Sequence, residues 1–307
     1  MVRKMVRREM SGSMMGMGFL ITCGATAVII GGGAVAASVT VPGAGGTSTI
    51  SNNGYTSTNW SGYADTASSG YKFNSVSATW TQPVVTTQSS SSYVAASFWV
   101  GLDGFSSNTV EQTGTQAVLG ANEQMQYTAW YELYPQVEIP VFDVNSGDKI
   151  SASVTYNPGS NNYTFKISDL TSNQTFSTTA VTAHTTNAAR SSAEWIVESP
   201  TFGTSSGSNY LATLANYGSF SFNSAAASIS GNSLTQSGSI SGVAANSLAA
   251  VNSITLVDNN NQPLSTPGPL GDNGSSFTTV YSPEPASSAL LALATAGLLM
   301  RRRRSST

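Results

Sequence analysis

Carboxylates, amides and aromatic rings gather in four stretches of this 307-residue chain. The first is Asn59-Trp60-Ser61-Gly62-Tyr63. The second is Phe98-Trp99-Val100-Gly101-Leu102-Asp103-Gly104, which runs on to Glu111-Gln112-Thr113-Gly114. The third and fourth are Trp130-Tyr131-Glu132-Leu133-Tyr134-Pro135 and Ala193-Glu194-Trp195-Ile196-Val197-Glu198. A glutamate can take up and return a proton, and an amide can donate a hydrogen bond to a developing anion without changing its charge. Residue counts close other routes. The single cysteine, Cys23, lies in an apolar leader, and the single histidine is His184. One imidazole cannot build an HExxH zinc site, and the body keeps no thiol for catalysis, a disulfide or a Cys-ligated metal. A serine triad would have to use His184, in a Thr, Ala and Asn stretch between apparent strands, which argues against it.

Strand alternation sorts these residues by face. Ala193, Trp195 and Val197 point one way; Glu194, Ile196 and Glu198 point the other. Trp130, Glu132 and Tyr134 likewise share a face. On pattern alone they fit exposed charges on a solvated face, and they also fit the floor of a cleft. A two-carboxylate glycosidase using Glu194 and Glu198 is disfavoured. Residues four apart on a strand lie about 13 Å apart, beyond the roughly 5–9.5 Å such enzymes use.

The elements that must position these groups read as strands. Val76, Ala78 and Trp80 alternate with Ser and Thr; so do Ile150, Ala152, Val154 and Tyr156, then Tyr163, Phe165 and Ile167, with Asn157-Pro158-Gly159 as the turn between the last two runs. Phe220 with Phe222 and Ile254 with Leu256 mark later strands. No amphipathic helix stands out between 59 and 281. The expected fold is all-β, a two-layer antiparallel β-sandwich in one domain, with residues 224–250 as weak strands or long loops.

The ends read as addresses. Residues 1–36 have a basic start, an apolar run and a small-x-small cleavage site at Ala34-Val35-Ala36, the pattern of a secretory signal peptide. Residues 37–58 are small and polar, a linker to a body spanning 59–281. At the other end Pro283-Glu284-Pro285 leads into apolar Ala286–Met300 and then Arg301 to Arg304. Fifteen apolar residues are short for a membrane span. This segment, 282–307, resembles the PEP-CTERM sorting signal, which implies transient membrane association and removal by an exosortase; an ordinary tail anchor is the alternative. Either reading exports the body to the cell surface, the extracellular matrix or the medium, after a signal peptidase acts on the leader.

Between residues 37 and 300 there are fourteen acidic residues against four basic ones (Lys72, Lys149, Lys166 and Arg190), a formal balance of −10. Such a body does not bind nucleic acid through phosphate contacts.

Taken in order, NWSGY, WVGLDG, EQTG, WYELYP and AEWIVE resemble the glutamic peptidases, or eqolisins, over roughly residues 59–258. The resemblance implies two curved antiparallel sheets like those of concanavalin A, polypeptide substrates, and a catalytic pair at Gln112 and Glu198, with no cofactor or metal. It places Trp99, Asp103, Glu132 and Tyr134 in or around a cleft, and Glu194 on the same face. Plainer roles fit some of these: an Asp-Gly turn for Asp103, a core position for Trp99. The chain departs from fungal members in having no disulfide and no basic pro-segment in residues 37–58. A noncatalytic module binding glycan or matrix protein remains the other expectation, since the fold alone permits it.

Overall fold

The computed structural model describes residues 54–87, 93–120, 124–203, 209–244 and 247–283, with the strand segments Leu20–Thr22, Ser38–Thr40 and Thr47–Ser51. The expected sorting tail and most of the expected signal peptide lie outside these residues. Apolar residues at every second position dictate strands, and strands are what form: β1 (Gly54–Ser57), β2 (Trp60–Ala67), β3 (Tyr71–Thr81), β4 (Val94–Leu102), β5 (Val110–Leu119), β6 (Met125–Tyr134), β7 (Ile139–Asp143), β8 (Lys149–Asn157), β9 (Asn162–Asp169), β10 (Gln174–Ala180), β11 (Ser192–Glu198), β12 (Ser219–Gly231), β13 (Leu234–Ser239), β14 (Ala249–Val257), β15 (Pro263–Pro267) and β16 (Phe277–Tyr281). Helical turns include Ile240–Val243 and Asp272–Gly274, and all are short.

One layer runs β7-β6-β5-β4-β11-β2-β14, antiparallel throughout. The other runs β10-β9-β8-β3-β12-β13, also antiparallel. This is the expected two-layer antiparallel architecture, with one feature the sequence did not signal. β12 belongs to both layers: Ser219 to Phe222 pair with β16, and from Asn223 onward the strand pairs with β3. The change falls at a bulge between Asn223 and Ala226, where Ser224 adopts φ 50°. A bulge of this kind bends a strand and lets it turn a corner between sheets. With β15 and β16 completing the corner, the layers curl toward a barrel.

Two regions differ from the sequence reading. Residues 224–231, read as weak strand or loop, form half of a thirteen-residue strand, with Ala225, Ala227 and Ile229 buried. Alanine between serines carries little hydrophobic contrast, so the alternation is real but faint. Within the stretch read as a linker, Thr47–Ser51 and β1 are strands, and β1 pairs in parallel with β14 at Ile254 to Leu256.

The main core fills the space between the layers. Trp195, Phe98 and Val100 from one side meet Val76, Val154, Phe165 and Ile229 from the other. Trp195 also donates its indole N–H to the Ser77 carbonyl at 3.0 Å, tying the layers together. The opposite face of the β5-β4-β11-β2 layer carries a second cluster around Trp60, Trp99, Trp130 and Ile196. Gly114 lies between Trp99 and Trp130 in cross-strand register. A Cβ there would fall 2.2 Å from the Phe98 carbonyl oxygen and 2.5 Å from Trp99 Cβ. Gly114→Ala should therefore lower stability by about 1–3 kcal/mol through overpacking. Gly159→Ala, at an exposed turn with nothing within 4 Å of the added carbon, should change it by no more than about 0.5 kcal/mol. Denaturant midpoints of the two variants check both values.

Candidate active site

Cross-strand register places the polar groups. Residues opposite one another on neighbouring strands share a face. One row runs Ala64, Glu194, Gly101, Gln112, Glu132 across β2, β11, β4, β5 and β6. Four residues along β11, a second row runs Trp60, Glu198, Ser97, Gln116, Thr128. The row between them holds Ile196, Trp99, Gly114 and Trp130. Gln112, Glu132, Glu194 and Glu198 are all fully buried.

Glu198 is held by two neutral donors. Trp99 Nε1 donates to Oε2 at 2.8 Å, and Asn59 Nδ2 donates to Oε1 at 3.3 Å. Trp99 is packed edge-to-face on Trp60, with ring centroids 5.0 Å apart, which fixes the plane of its N–H. The far edge of the same indole reaches the other row. Its Cζ3 would lie 2.9 Å from a Cβ at Gly101, the residue beside Gln112. A single ring thus bridges the diagonal between Gln112 and Glu198, and a side chain at position 101 would push it away. Gln112 is oriented in turn: its Nε2 donates to Glu132 Oε2 at 2.7 Å.

The remaining expected residues are placed less centrally. Asp103 takes φ 67° in the turn after β4, and its carboxylate accepts from the backbone N–H groups of Arg190 and Ser191 at 2.5 and 2.7 Å. It clamps the segment leading into β11 and does not reach Glu198. Its burial pushes its pKa up, against the pull of those hydrogen bonds. Glu194 shares a face with Glu198, but the acids acting on it are Asp103 and Glu111. The two glutamates therefore belong to different clusters, which removes the two-carboxylate pairing considered above. Tyr134 is half-buried at the edge of the tryptophan cluster.

Several functional-looking groups were missed by sequence reasoning. Asn59 opens the NWSGY motif but was not singled out as a ligand of the carboxylate. Glu138 and Gln116 form a second buried carboxyl–amide pair, with Gln116 Nε2 donating to Glu138 Oε1 at 2.5 Å. Asp65 and Glu111 are buried carboxyls on the face toward the main core, in one row with Ala193 and Leu102. Among the described residues no group of histidine, cysteine or carboxylate side chains has metal-site geometry.

Burial dominates the electrostatics. Desolvation raises Glu132, Glu194 and Glu111 well above the usual carboxylate range. The like charges of Glu138 and Glu198 add to the effect on Glu132. Desolvation also pushes Asp65 and Glu138 up to about 8. A carboxyl raised in the fold stays protonated where the unfolded chain has released its proton. Stability from these groups is full below about pH 4 and is lost as pH climbs toward 8. Each pKa unit is worth about 1.4 kcal/mol, so Asp65 and Glu138 together contribute several kcal/mol, and Glu132, Glu194 and Glu111 act in the same direction. The melting temperature should fall by about 10 °C or more between pH 4 and pH 8, and Asp65→Asn should flatten that slope. Scanning calorimetry across this range checks it, and a melting point that rises toward pH 8 would contradict it.

Residues 58–262 match the model of the Peptidase A4 family. Aspergillopepsin-2 of Aspergillus niger is 32% identical over 142 residues, 45% of this chain and 48% of that protein. The chain thus spans about half the length of the curated relative it matches. A crystal structure of scytalido-glutamic peptidase with a transition state analog inhibitor has a TM-score of 0.58 at 25% identity, covering 73% of this chain and 98% of the other. SCP-B, an eqolisin in complex with the tripeptide Ala-Ile-His, shares the fold with a TM-score of 0.57 at 23% identity, with the same coverage. The match to the family model spans all four polar motifs of the layer, and the chain belongs to the Peptidase A4 family.

Proposed function

We propose that the chain is an exported acid endopeptidase in which Glu198 activates water and Gln112 stabilises the oxyanion. The observation that carries this is the Trp99 ring, bonded to Glu198 at one end and lying against the Gly101–Gln112 side at the other. Glu198 takes a proton from water as its oxygen attacks the scissile carbonyl carbon, and the carbonyl π electrons move onto oxygen. Gln112, oriented by its hydrogen bond to Glu132, donates its amide N–H to that oxyanion. The protonated Glu198 then gives its proton to the leaving nitrogen as the C–N bond breaks. No covalent intermediate, metal or cofactor enters these steps.

Family membership supports polypeptide substrates, and the buried protonated carboxyls favour acid over neutral pH. Trp99 is the floor and holds Glu198, Glu132 orients Gln112, and Tyr134 borders the cleft. Asp103 braces the entry to β11. Glu194 acts through the electrostatics of the layer. We assign residues 1–36 to a signal peptide, 59–281 to the peptidase body, and 282–307 to a PEP-CTERM tail removed by an exosortase. Intact-mass measurement on native material should then show both ends missing.

Glu198→Gln is nearly isosteric but cannot accept and return a proton. It should abolish turnover of a denatured protein substrate at acid pH while leaving the melting curve intact. Gln112→Ala should lower kcat by about 10²–10³, the cost of one oxyanion donor in a comparable role. A chelator and His184→Ala should leave the rate unchanged. A folded Glu198→Gln protein with wild-type activity would refute the mechanism, and a wild-type protein that cleaves no peptide across acid to neutral pH would favour a noncatalytic binding module.

A further inference from the structure

The amide in register with Glu198 is Gln116. β11, β4 and β5 place Glu198, Ser97 and Gln116 side by side in one row, with the small Ser97 between the two longer side chains. Two strand spacings separate Glu198 and Gln116, about 10 Å between backbones. Gln116 is itself tied to Glu138, which arrives from the segment between β6 and β7. The arrangement repeats that of Gln112 and Glu132 two rows away, so two carboxyl–amide pairs flank the tryptophan floor on β5 and its neighbours.

Three atoms of this second group are buried with no hydrogen-bond partner: Ser97 Oγ, Gln116 Oε1 and Glu138 Oε2. The titratable groups that act electrostatically across this corner are Glu198 from β11 and Glu132 from β6. No cation is among the groups acting on Glu138. A proton on Glu138 therefore decides whether the corner beside Glu198 is neutral or carries an added negative charge in a medium that screens poorly.

Resting on the peptidase reading above, we propose that Glu138, acting through Gln116, is a positioning residue for Glu198, and that its ionisation ends activity as pH rises. While protonated, Glu138 accepts from Gln116 and keeps the row neutral. Once ionised, it opposes the negative charge that builds on the tetrahedral intermediate, so the barrier rises although the fold persists. Burial holds its proton through mildly acid pH, which leaves the acid side of the profile untouched.

The test compares kcat and KM of the purified full-length protein on one denatured substrate from about pH 3 to about pH 10, with the folded fraction followed by tryptophan fluorescence at each pH. Glu138→Gln keeps a hydrogen-bonding amide opposite Gln116 and removes the titration. It should leave kcat within about twofold at pH 4 and move the alkaline midpoint of kcat up by half a pH unit or more, with KM unchanged. Glu138→Leu strands the Gln116 amide and should lower kcat at every pH, a loss that Glu138→Gln does not show. Asp65→Asn, equally buried but facing the main core, should alter the melting curve and leave the kcat midpoint in place. Superimposable wild-type and Glu138→Gln profiles would overturn the proposal, as would a shift fully accounted for by a changed folded fraction. Failure of the peptidase reading shows separately, as a wild-type protein without activity or an active Glu198→Gln variant.

Discussion

A carboxyl group withdrawn from water and met by neutral hydrogen-bond donors is the constraint around which this layer is built. Removing a charge from water costs several kcal/mol even after relaxation. Here Glu198 meets two neutral donors, the indole of Trp99 at 2.8 Å and the amide of Asn59 at 3.3 Å. Every other acid nearby is left to protonate: Glu132 and Glu138 on the same face, Glu194 further along the strand. A lysine or arginine would satisfy these groups more simply. It would also hold all of them ionised and leave no distinction between a base and its neighbours. Pushing the pKa values of nearby acids apart is how one site obtains groups in different protonation states at one pH.

The fold serves that constraint through strand register and glycine. The polar face exists because the layer has a second, tightly packed face against β3, β8 and β12, so its outward face need not be the core. Trp99 can span from Gln112 to Glu198 only because positions 101 and 114 carry no Cβ. The double membership of β12 closes one corner of the sandwich. Acid conditions favour the fold and the proposed chemistry together, since both depend on the same protonated carboxyls.

Strands with strong contrast were legible in the sequence: Val76 to Trp80, Ile150 to Tyr156, and Tyr163 to Ile167 all alternate between bulky apolar and small polar residues. The second half of β12 and the strand at 47–51 were not, because Ala, Ser and Thr join the same backbone ladder but advertise no face. Within the site, alternation alone placed Glu194 with Glu198 and Glu132 with Trp130 on common faces. It could not say that Glu194 answers to Asp103 and Glu111 while Glu198 answers to Glu132 and Glu138, because that depends on register between strands distant in sequence. Asp103 read as a turn and is one, with a clamp on Arg190 and Ser191 that no local pattern reveals. Glu138 was invisible for a similar reason. It follows Pro135 in a connecting segment, and its partner Gln116 stands one step of the side-chain alternation beyond Gly114, the last motif residue on that face.

The proposed mechanism requires Glu198 to be the ionised member among the buried glutamates of this face. Carbon-13 NMR of protein labelled at the glutamate side-chain carboxyl carbon tests it directly at pH 5.5, with Glu198, Glu132, Glu138 and Glu194 assigned from their glutamine variants. The account predicts a carboxylate shift for Glu198 and protonated-acid shifts for the other three. A protonated Glu198 beside an ionised Glu132 at that pH would contradict it.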